Sequence, residues 1–301
     1  MSRIKNIYCF GTSFTNGGGF EFEENMIEPL HLAYSNIDEL QTQFNFSYPG
    51  QLLKLLNNSN LDIKVHNFSK SGYGNHRINR IIWDLVNEPD FDISTSLFIL
   101  EFAHFGRHEL YYTLLNDYII CNSHIENDVL KFHDASHTYH SKKHRPQNDS
   151  VFLNKNKFEN FINESIEFLN EIKESVYATH SLLGFLINNN YNIILTQPPM
   201  WNGPPDDYHK DYFRYQLFEE PGYGIMEYLR DNPTHVIKNE TGGNYNDSHG
   251  GIVFSKTIAS LIYNRLIDMN LISTEYHSID INDVNNLKRI ILKNTKLFNK
   301  I

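Results

Sequence analysis

Ile4-Lys5-Asn6-Ile7-Tyr8-Cys9-Phe10-Gly11-Thr12-Ser13-Phe14-Thr15-Asn16-Gly17-Gly18-Gly19 is the stretch on which the fold turns. A short, almost continuously apolar run, Ile4–Phe10, breaks off into glycines and hydroxyls. Such a run suits a strand covered on both faces of a parallel sheet. Three more follow, at Ile63–Phe68, Ser96–Phe102 and Tyr191–Thr196. Helical spacing of apolar residues fills the intervals. Pro49–Leu56 opens on a proline fit for a first helical turn, and His76–Val86 carries Ile78, Ile81, Ile82 and Leu85 on one side. Further helices are expected from about Phe158 to Ile187 and over Ile252–Ile267. Strands alternating with helices predict an α/β protein with a parallel sheet. Sites in such sheets form in the loops that follow the C-terminal ends of the strands.

Outside this pattern lie two insertions, at about 21–45 and 111–157, the first acidic and aromatic, the second polar and rich in His and Asn. The expected organisation is one α/β domain over 1–270, with 271–301 a C-terminal tail or peripheral helix. Asp and Glu number 36 against 26 Lys and Arg, a net charge of −10, which repels phosphate backbones and disfavours nucleic acid or anionic membranes as partners. Two cysteines, Cys9 and Cys121, make neither a disulfide framework nor a multi-cysteine zinc site. No stretch approaches the ~18–20 apolar residues of a membrane span. The opening Met1-Ser2-Arg3-Ile4-Lys5 runs straight into a strand pattern, so no secretory signal is expected and the expected location is cytoplasmic.

Three segments carry chemistry. Ser13 directly follows a buried strand and is flanked by glycines, a placement that exposes a hydroxyl and leaves backbone N–H groups free to face an oxyanion. The alternative is a helix-capping serine beside a glycine turn. Asn67-Phe68-Ser69-Lys70-Ser71-Gly72-Tyr73-Gly74-Asn75 repeats the device. There the Gly72 N–H and the Asn75 amide are candidates for the same crevice, or Asn75 simply caps the next helix. Near the other end, Asn246-Asp247-Ser248-His249-Gly250 puts a carboxylate two residues before an imidazole, ahead of the last helix. That pair suits a base and its orienter, or a solvated loop with a cap.

Together these segments resemble the SGNH (GDSL-like) hydrolases, a family of serine esterases and lipases. Gly11-Thr12-Ser13 with Gly17 and Gly18 is similar to the family's first block, Asn67 through Gly72 to its second, and Asp247 with His249 to its last. The resemblance implies a three-layer α/β/α sandwich with a flavodoxin-like parallel sheet. It also implies Ser13 as nucleophile, His249 as general base, Asp247 as orienter, and oxyanion donors at the Ser13 and Gly72 N–H groups. Thr12 departs from the family's Asp. The third block's Asn is absent after Ser96–Phe102, and His104 is the nearest polar substitute for the missing donor, or else a histidine packed under the insertion. Arg107 either pairs with Glu109 or anchors an anionic substrate group. Trp201 joins Phe14, Phe20, Tyr73, Tyr208, Tyr212, Phe213 and Tyr215 as rings that line a cleft or pack under a loop.

The function implied is hydrolysis of a carboxylic ester, an O-acetyl group on a carbohydrate fitting the family's breadth, with no cofactor and no metal. Alternatives on the same scaffold are an acyltransferase and a non-catalytic binding or structural protein. Two metal readings are set aside. His108-Glu109-Leu110-Tyr111-Tyr112 begins like a zinc-protease helix but has Tyr112 where the second His belongs. His133, His137, His140 and His144 would share one helix face in a segment polar enough to be a solvated insertion.

Overall fold

The computed structural model describes residues 3–17, 44–69, 74–103, 107–112, 117–126, 129–136, 168–199, 212–218, 220, 223–236 and 249–273, with backbone alone for 107–136 and 168–173. The four apolar runs become β1 (Asn6–Phe10), β2 (Lys64–Asn67), β3 (Ser96–Glu101) and β7 (Asn192–Gln197), within a residue or two of where the sequence puts them. They form one all-parallel sheet in the order β2-β1-β3-β7. Its helices are α1 (Ser13–Asn16), α2 (Tyr48–Asn58), α3 (Asn75–Val86), α4 (Phe168–Asn188), α5 (Ile225–Asp231) and α6 (Ile252–Asp268). The class is α/β.

Alternation along the strands sorts the side chains into two cores. Ile7 and Cys9 of β1, Leu97 and Ile99 of β3 and Ile194 of β7 join Tyr48, Leu52 and Leu56 of α2 with Phe254, Ile258 and Ile262 of α6. Phe10, Phe98, Leu100, Ile193 and Leu195 join Ile78 and Ile82 of α3 with Leu182, Leu183 and Leu186 of α4. The period of two sends successive residues to opposite faces, and each face finds its own helices. β2, at the sheet edge, is exposed or half-buried throughout, unlike the other three strands. The second core is aromatic: Phe98 meets Phe10 edge-on at 5.4 Å between ring centroids and Tyr191 at 5.5 Å.

Local signals set the helix starts. Ser47 caps α2 by accepting from the Gly50 N–H at 3.4 Å, and Pro49 sits in its first turn. Gly50 has no room for a side chain, because a Cβ there would run into the Phe44 carbonyl. Among the described residues no helix is long and apolar enough to cross a membrane.

Part of the insertion forms a three-stranded antiparallel sheet of β4 (Arg107–Tyr112), β5 (Asp117–Glu126) and β6 (Val129–Ser136). His133 therefore lies on a strand, not on a helix face shared with His137, His140 and His144, which fall outside the described residues. The run Val129-Leu130-Lys131-Phe132 supplies the β-branched and aromatic residues that favour a strand over the helical spacing of the histidines. Residues 274–301 and most of 21–45 also fall outside.

Phe98 is fully buried between aromatic neighbours. Phe98→Ala should lower the unfolding free energy by about 3–5 kcal/mol in urea denaturation. Tyr177→Ala, at a residue 68% exposed, should change it by less than ~0.5 kcal/mol.

Candidate active site

At the C-terminal edge of the sheet, β1 runs into Gly11 and Thr12 and then into α1, whose first residue is Ser13. The helix lasts one turn. Gly17 stops it in the left-handed region at φ 79°, where a side chain would be strained, and its N–H returns to the Ser13 carbonyl. Ser13 is buried at 5% exposure. Thr12 is the N-cap, yet its side chain makes no capping bond to the helix.

The cap comes instead from β3. Glu101, fully buried at the end of that strand, accepts hydrogen bonds from the Thr12 and Thr15 hydroxyls and, at 2.8 Å, from the Thr15 N–H. The Thr12 N–H contributes as well. A carboxylate thus sits against the positive end of α1, supplied by a strand rather than by the helix's own sequence. Burial pushes the Glu101 pKa above the ordinary carboxylate range, and the hydrogen bonds from Thr12 and Thr15 pull it partly back.

The network continues inward. Thr15 Oγ1 lies 2.7 Å from the Tyr48 hydroxyl of α2, which lies 3.5 Å from Thr196 Oγ1 of β7, and Thr196 donates to the Leu100 carbonyl at 3.2 Å. With the Thr15 proton on Glu101, Tyr48 donates to Thr15. Burial raises the Tyr48 pKa well above its usual value, so the phenol stays neutral and keeps that proton. The register of β3 and β7 shifts between Leu100 and Glu101, an irregularity of the kind that re-aims side chains at sheet ends. Gly11 allows the turn to close over Glu101: a Cβ would lie 2.6 Å from Oε2 and would also strike Thr15 Oγ1.

A second clasp joins the neighbouring loops. Asn75 Nδ2 donates to the Ala103 carbonyl at 3.0 Å, and Asn75 Oδ1 accepts from the Ala103 N–H at 2.7 Å. Asn75 does not cap α3, since Gly74 holds that position. With 1% exposure, it ties the loop after β2 to the loop after β3.

From the far end of the chain comes His249. Its neighbour Gly250 bridges to Val236, and the Gly251 N–H donates to the His235 carbonyl at 2.7 Å, fixing the approach to α6. A Cβ on Gly250 would meet the Phe254 ring, so the backbone here lies flat on the core. The His249 ring then stacks at a tilt on Phe14, with centroids 5.2 Å apart. Phe14 directly follows Ser13. No described residue hydrogen-bonds the Ser13 hydroxyl, His249 included.

Asp247, Gly72, His104 and Trp201 fall outside the described residues, and Arg107 is described only as the first residue of β4. Ser13, Asn75 and His249 are the expected site residues whose side chains are described. Glu101, Thr15 and Tyr48 were missed. A glutamate ending the apolar Leu97-Phe98-Ile99-Leu100 was the available signal, because an acid is rarely buried without partners. No protein-family model matches the chain, and no curated protein matches it in sequence.

Two outcomes follow from this packing. Gly11→Ala should destabilise the protein by about 1–3 kcal/mol, read by chemical denaturation, because Glu101 and Thr15 must both give way. Glu101 also links stability to pH. Its folded pKa is raised above its ordinary value of 4.5, so the folded state holds the proton more tightly. Its stabilising contribution is complete below the unfolded pKa and is lost as pH rises through the folded one. The stability of wild type relative to Glu101→Gln should therefore fall as pH rises above about 4.5; a difference independent of pH would contradict the linkage.

Proposed function

We propose that the protein is a serine esterase of the SGNH type, with Ser13 as nucleophile and His249 as general base. The observation that carries this reading is the Phe14–His249 ring contact, which joins the turn holding Ser13 to a histidine from the opposite end of the chain. It is supported by the location of that turn at the C-terminal edge of a parallel sheet. The strand order β2-β1-β3-β7, with helices contributing to a core on each face, agrees with a flavodoxin-like three-layer sandwich.

In this reading the Ser13 hydroxyl attacks the ester carbonyl carbon as its proton passes to His249. Asp247 holds the imidazole in the right tautomer and offsets the charge it acquires. N–H groups of Ser13 and Gly72, with His104 as a third donor, receive the oxyanion. The tetrahedral intermediate collapses, the alcohol leaves with the proton from His249, and an acyl group remains on Ser13. Water, deprotonated by the same imidazole, then releases the acid. Arg107, Trp201 and the remaining Asn75 donor are the candidate contacts to substrate.

A fluorophosphonate probe tests the nucleophile directly, since the serine oxygen displaces fluoride from phosphorus and stays bonded to the probe. Ser13 should be the labelled residue by peptide mass, and Ser13→Ala and His249→Ala should each lower hydrolysis of a p-nitrophenyl ester panel by ~10³-fold or more. An unlabelled native protein, or full turnover in both variants, would leave a binding role on the same scaffold as the better account.

A further inference from the structure

We infer that Glu101 is a positioning residue of this centre: its buried carboxylate, gripped by Thr12 and Thr15 on either side of Ser13, holds the Ser13 hydroxyl and N–H where attack requires them. The inference rests on the reading of Ser13 as nucleophile. It begins from the cost of the residue. The other strand residues Ser96 to Leu100 are buried without ionisable groups, and an apolar side chain at the strand end would fill the space without a desolvated carboxyl. Among the described residues, every hydrogen bond to the Glu101 carboxyl comes from Thr12 or Thr15. Among those residues the carboxyl therefore holds the turn that contains Ser13.

The turn has little else to define it. α1 is four residues long, too short to be rigid alone, and Thr12 gives it no cap of its own. Glu101 supplies both a fixed acceptor and an anchor, because Tyr48 and Thr196 brace the Thr15 side of the network from α2 and β7. The ionised carboxylate accepts from both threonine hydroxyls and from backbone N–H groups at once. Protonation turns one oxygen into a donor, so the threonine facing it must turn its own O–H away and accept instead, and that end of the turn loses its charge-assisted bond. Tyr48 is the titratable group recorded against this network from a packed element, with Cys9 of β1 beside it; burial raises both pKa values, so both remain neutral while Glu101 titrates. Ionisation thus works in opposite directions on the two properties. It lowers stability, as argued above, while it orders the reacting turn.

The test is the rate of fluorophosphonate labelling at Ser13, measured across pH for wild type, Glu101→Gln, Thr12→Val and Thr12→Ser, with thermal unfolding of each as the folding control. Glu101→Gln should label about 10–100-fold more slowly, the scale of loss expected from displacing a reacting group by a fraction of an ångström to an ångström. The ratio of wild-type to Glu101→Gln rates cancels the pH dependence of the shared base and should rise with pH. Thr12→Val should also label slowly, and Thr12→Ser, which keeps the donor, should restore the rate. A wild type that labels at Ser13 while Glu101→Gln labels equally fast, or with a ratio flat in pH, overturns the positioning role and leaves the esterase reading intact. If Glu101→Gln does not fold, equal rates for Thr12→Val and wild type overturn it in the same way. A folded wild type that does not label at all overturns the esterase reading itself.

Discussion

A desolvated carboxylate at the end of the central strand β3 organises the edge of this sheet. Glu101 lies where a neutral apolar residue would pack at lower cost, and among the described residues its burial is offset by donors from Thr12 and Thr15. That requirement runs outward in both directions. It closes the turn after β1 tightly enough that Gly11 must be glycine, and it runs inward through Thr15 to Tyr48 and Thr196. Loop, strand and helix are coupled because leaving any of these polar atoms unpaired in the interior is expensive.

Hydrophobic packing does the long-range work. The first strand and the last helix share one core, with Ile7 and Cys9 against the face of α6 that carries Phe254, Ile258 and Ile262. The segment entering α6 is pinned by the Val236–Gly250 bridge and by the bond from Gly251 to His235. His249 has little latitude after that, and its ring comes to rest on Phe14. The turn after β1 and the segment entering α6 meet because their elements share one core.

Polar clasps hold the remaining loops at the same edge. Asn75 spans two loops through paired bonds to Ala103, a use of the amide that fixes backbone rather than side chains. Gln197, at the end of β7, accepts from the Met226 N–H at 3.0 Å and donates to Glu227 at 3.3 Å, tying that strand to α5. A site assembled there inherits its geometry from the sheet, whose register is set by burial on both faces.

The sequence alone determined the α/β class, the four parallel strands and the starts of α2 and α6, because apolar period and a proline at a first turn are local properties. It also singled out Ser13 and His249, since a hydroxyl or imidazole beside glycines at an element boundary stands out without knowledge of the fold. At His133 the spacing that would suit a helix face gave way to cross-strand pairing, which puts that residue in a strand. Glu101 was hidden for a different reason. Its partners are nearly ninety positions away in the chain, and whether an acid at a strand end meets water or two threonines depends on which loop folds over it. The same holds for the double use of Asn75 and for the meeting of Phe14 with His249. Contacts between distant residues are decided by the packing of whole elements, and no local pattern encodes them.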